Sequence, residues 1–106
     1  MSRYEFIKST FSQCGVFLLD LSDEDIGYHL FEEFDGDCIS FLNEDFLDRI
    51  LKSGKITQEV LDASLELSSK FRSLENTGLW NVKSVKENQK WFEILKLSDL
   101  IKAKLT

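Results

Sequence analysis

The chain has 106 residues, 42% of them hydrophobic, with nine phenylalanines, no proline and a formal net charge of −6. That length supports one hydrophobic core rather than two, and so much apolar area excludes a disordered chain. The acids are concentrated, eleven in residues 9–48 without a Lys or Arg, whereas residues 49–106 carry eleven bases against seven acids; a field of that shape repels phosphate, argues against nucleic acid or an anionic membrane as main partner, and points to a basic protein or a cation.

The absence of proline favours helices joined by Gly, Asn and Ser turns, and an all-α fold follows: five to six helices in an irregular bundle, residues 1–106 forming a single domain. A first helix is predicted from about Arg3 to Gln13, with Tyr4, Ile7, Phe11 and Cys14 on one face and Gly15 as its stop. Val16–Leu19 is a buried connection or a short strand. Ser22 followed by Asp25 approximates a capping box, and the acids at 23–25 suit the positive end of a helix dipole, so a helix is expected from there to about Phe34. Asp35-Gly36-Asp37 reads as a turn, after which Ile39, Phe41 and Leu42 are expected to bury.

Asn43 caps a helix with Phe46, Leu47, Ile50 and Leu51 as its stripe and Gly54 in the C′ position. Thr57 caps the longest helix, to about Asn76, along Val60, Ser64, Leu67, Phe71 and Leu74. A loop carrying Trp80 follows, then a second capping box, Ser84 and Glu87, before a terminal helix of Trp91, Ile94, Leu95, Ile101 and Leu105. Phe92, Leu97 and Leu100 fall off that face, so this helix is either buried on two sides or broken at Ser98.

The segment DLSDEDIGYHLFEEFDGD, residues 20–37, holds eight of the nineteen acids, with a tyrosine and a histidine in its middle. At 100° per residue, Ile26, Leu30, Phe31 and Phe34 form the core side of its helix, while Asp25, Tyr28, Glu32 and Asp35 line the opposite side. A charge run alone is a solvated face; an aromatic enclosed by carboxylates resembles an interface anchor. The partner-binding surface is therefore expected to centre on Asp25, Tyr28, Glu32 and Asp35, with Asp20, Glu24, Glu33 and Asp37 as its electrostatic margin.

No catalytic machinery is legible. His29 stands without a second histidine, a Ser or Cys motif or a Gly-rich loop, and reads as a surface histidine in helix ion pairs. Glu33, Asp35, Asp37 and Glu44 occupy positions 1, 3, 5 and 12 of a calcium-loop register, but Cys38 stands where the sharp turn needs Gly, so no metal or cofactor is expected. Cys14 and Cys38 lack CxxC spacing and read as core fillers in a reducing compartment, and Trp80 and Trp91 as core anchors. The start, MSRYEFIKST, has no basic segment followed by an apolar one, and no run reaches the roughly 18 apolar residues that span a bilayer, so a cytoplasmic location is expected.

In length, acidity and overall pattern the chain resembles the small acidic immunity proteins of bacterial contact-dependent growth inhibition and related polymorphic toxin systems. The segments SDEDIGYHLFEEFDGDCISFLN and KFRSLENTGLWNVKSVKENQKWFEILKLSDLIK carry the likeness. The resemblance implies a non-enzymatic inhibitor, monomeric in a 1:1 complex with a cognate toxin domain, often a nuclease. It assigns no individual residue. The alternatives are an acidic phosphate mimic that blocks a host nucleic-acid-binding protein, and a small-ligand domain built around His29 or the Trp80 loop.

Overall fold

The computed structural model describes residues 2–105, which form an all-α globule. Its elements in order are α1 (Arg3–Phe11), a 3₁₀ segment (Val16–Asp20), α2 (Asp23–Gly27), a π-helical segment (Tyr28–Phe34), α3 (Asp35–Phe41), α4 (Glu44–Lys52), α5 (Gln58–Ser73), α6 (Val82–Glu87) and α7 (Gln89–Lys102). Helix α5 packs along α7 and against α4, while α1 lies against α3, α4 and α7. Among the described residues no helix is long and apolar enough to cross a membrane.

Most helix starts follow from side-chain capping. Ser22 accepts from Asp25 N–H, Asn43 from Phe46 N–H and Thr57 from Val60 N–H, each satisfying a donor that the first turn leaves free. Gly54 follows α4 with φ 82°, the left-handed conformation that favours glycine at C′. The α5 stripe of Val60, Ser64, Leu67, Phe71 and Leu74 is buried as its spacing predicts. Beneath it, Phe71, Trp80, Trp91 and Phe31 form an aromatic cluster with ring centroids 4.8–5.8 Å apart. Trp80 is thus packed into the molecule, and Trp91 donates its indole N–H to the Leu79 carbonyl at 2.7 Å.

Several expectations are corrected. Val16–Leu19 is neither a strand nor wholly buried: it lies in the 3₁₀ segment, with Leu18 inside and Phe17 out. Ser84 is not a cap. Asn81 caps α6 and accepts from Ser84 N–H, and Asn88 caps α7. Nor does α7 break at Ser98, whose buried hydroxyl donates to the Cys14 carbonyl at 2.8 Å; and α7 is not buried on two sides, because Phe92 and Leu100 are exposed.

The largest correction concerns residues 35–37. They are helix, not a turn, and Ile39, expected inside, is 60% exposed. The buried residues Ile26, Leu30, Phe34, Cys38 and Leu42 repeat strictly every four positions. A four-residue step in an α-helix overshoots a full turn by about 40°, so a purely α-helical run would carry these side chains progressively off the core. The π segment corrects the drift, because its i→i+5 bonds take roughly one more residue per turn; Asp35 N–H donates to Leu30 C=O across it. Phe34 then meets Phe71 edge-on at 4.9 Å, and the helix continues through Gly36.

Candidate functional site: an acidic face around Tyr28

Helix α2 enters with three acids in its first turn and leads directly into the π segment, whose first residue is Tyr28. Tyr28 is 49% exposed, and Asp20, Glu24, Asp25 and Glu32 are exposed around it. Among the described residues no Lys or Arg lies within ion-pair distance of these four acids. Many acids elsewhere are partnered: Asp45 with Arg49, Asp48 with Lys52, Asp99 with Lys102 and Glu59 with Lys104. Asp23 pairs with Lys86 of α6, which closes one margin of the face.

The π geometry changes which carboxylate serves Tyr28. A straight α-helix would align it with Glu32; the wider turn instead brings Glu33, five residues on, to its hydroxyl. Hydrogen bonding to Glu33 raises the Tyr28 pKa, reinforced by the charges of Glu33 and Glu32. A phenol held between carboxylates stays a neutral donor, with a ring accessible to a partner.

Asp35 and Asp37 do not join the exposed stripe. Asp35 turns to α5, its Oδ1 3.2 Å from Arg72 Nη1, and Arg72 also reaches Glu75 at 3.3 Å. Asp37 is half-buried against α1, its Oδ2 3.3 Å from the hydroxyl of fully buried Thr10, which donates to the Phe6 carbonyl. Burial raises the Asp37 pKa, opposed by the Thr10 hydrogen bond and assisted by Glu33. Both residues thus face the fold, as the change of helix pitch requires. The calcium-loop register is likewise absent in space, because residues 35–41 are helical.

Two residues adjoin Tyr28 that periodicity did not single out. His29 is half-buried, its Nδ1 bonded to Gln13 Oε1 rather than to a helix carboxylate, and its ring lies 5.6 Å from Tyr28 and 6.1 Å from Phe17. Phe17 is 39% exposed, with the Lys102 ammonium 5.1 Å from its ring centre. Tyr28, His29 and Phe17 therefore form a short aromatic ledge running off the acidic face. The four-residue apolar run 16–19 held the signal, since a short 3₁₀ segment cannot bury every side chain around its axis. The chain matches no family model, no curated protein and no solved structure.

Proposed function

We propose that this protein is an inhibitor of the immunity type, which binds a basic toxin domain, a nuclease by preference, in the cytoplasm and carries out no turnover of its own. The observation that supports the reading is the exposed Tyr28 set among Asp20, Glu24, Asp25 and Glu32, four acids without a cationic partner among the described residues. A nuclease holds phosphates with Lys and Arg, and carboxylates fixed on a helix can occupy the same cationic cleft. Unpaired acids attract such a surface over a longer range than paired ones, which favours association rates near ~10⁸ M⁻¹s⁻¹ at low salt. Asp35 contributes by holding the helix in place through Arg72, and Asp37 lies against Thr10, so neither touches the partner.

The test is co-expression with the product of the reading frame directly upstream, scored for rescue of growth and for co-purification as a 1:1 complex. Tyr28→Ala is expected to weaken that complex by about 2 kcal/mol, roughly thirtyfold in Kd, with the dissociation rate taking most of the change. Glu24→Gln is expected to slow association mainly, an effect that fades as salt is raised. If the quadruple variant Asp25→Asn, Tyr28→Ala, Glu32→Gln, Glu24→Gln folds and still binds as wild type, the acidic face is not the site.

A further inference from the structure

A second surface feature shares no residue with the acidic face. Where the end of α5, the following loop and the start of α7 meet, there is an open groove of about 520 Å³ lined by Lys70, Ser73, Leu74, Thr77, Leu79, Lys90, Glu93 and Ile94. That size falls within the range of small-molecule sites, roughly 300–1,000 Å³. Its apolar residues, Leu74, Leu79 and Ile94, belong to or pack against the core.

The polar groups define what the groove would accept. The Ser73 hydroxyl donates to the Lys70 carbonyl and the Thr77 hydroxyl to the Leu74 carbonyl, so both hydroxyl protons are committed within the chain. Thr77 Oγ1 also accepts from Leu79 N–H at 3.1 Å. Lys70 and Lys90 remain: both are exposed, and neither has an acid within ion-pair distance among the described residues. Glu93 offsets one of the two charges, leaving the groove net cationic beside an apolar floor. In a chain of net charge −6, such a place favours an anion only if local contacts outweigh the overall field; an apolar body would add such contacts by covering partly exposed Leu79 beside the buried edges of Leu74 and Ile94.

We propose that this groove binds a small amphipathic anion, an alkyl or aryl body carrying a carboxylate or sulfonate, with the head between Lys70 and Lys90 and the body on Leu74, Leu79 and Ile94. The site is independent of the toxin-binding reading and stands or falls separately. The probe is octanoate, titrated into the full-length protein while amide and methyl resonances are followed, with octyltrimethylammonium as the partner of like tail and opposite head. Saturable shifts confined to the groove with octanoate, and none with the cation, are expected. Lys70→Gln combined with Lys90→Gln should weaken octanoate about tenfold, since the pair of substitutions removes both cationic partners of the head; both lysines are exposed, so the variant folds. Equal response to the two heads, shifts outside the groove only, or no saturable shift at millimolar octanoate would overturn the proposal, as would octanoate binding unaffected by the double substitution.

Discussion

At the scale of single residues, burial sets the chemistry. Cys14 is fully buried and its thiol is pushed up to about 12 by desolvation; Cys38 is raised by the same cause. The thiolate is the reactive form, so native protein at neutral pH is expected to resist a thiol-labelling reagent and to react only as fast as it unfolds. Labelling of either cysteine at the rate of a free thiol under native conditions would show an open core. Asp37 provides a pH signature. Its raised native pKa means that the folded state holds the proton more tightly than the unfolded chain, so Asp37 contributes stability below its unfolded pKa and that contribution is lost as pH rises through the native value. Asp37→Asn removes the loss. Its urea midpoint should exceed that of wild type at neutral pH, and the gap should narrow as pH falls through the carboxylate range.

At the scale of elements, the instructive case is the passage from α2 to α3. Capping residues and apolar stripes made the starts of α4 and α5, the Gly54 stop and the long α5 legible, because those signals are local and the helices keep the ordinary pitch. Residues 35–37 were not legible in the same way. Asp-Gly-Asp is turn chemistry by propensity, and contacts across the fold, those of Phe34 with Phe71, Asp35 with Arg72 and Asp37 with Thr10 among them, favour helix instead. The strict four-residue repeat from Ile26 to Leu42 is nevertheless in the sequence, and it marks a pitch that an α-helix cannot hold. The same change of pitch explains why a wheel drawn at 100° per residue places Tyr28 and Glu32 outside but misplaces Asp35. Gly36 gives the sharpest test: its φ is not positive and a Cβ there would meet nothing within 4 Å. Gly36→Ala should therefore stabilise the protein by about 0.5–1 kcal/mol, measured by denaturant unfolding, whereas a left-handed turn would make the same change destabilising.

At the scale of the molecule, the acidic half and the basic half are joined through the C-terminal helix. Ser98 holds the Cys14 carbonyl, Asp99 Oδ2 accepts Val16 N–H at 3.1 Å, and Gly15 sits so close to Asp99 and Lys102 that any side chain there would collide with them. Ser98→Ala should cost about 1–3 kcal/mol, read from thermal or denaturant unfolding, because it strands a buried carbonyl. These ties span more than eighty positions of chain. During synthesis, the anionic segment leaves the ribosome long before the residues that anchor it, so the nascent chain must wait, unfinished, until α7 has cleared the exit tunnel. A message cut short ahead of Ser98 would thus give a loose fragment fit for proteolysis rather than a weakened copy of the fold.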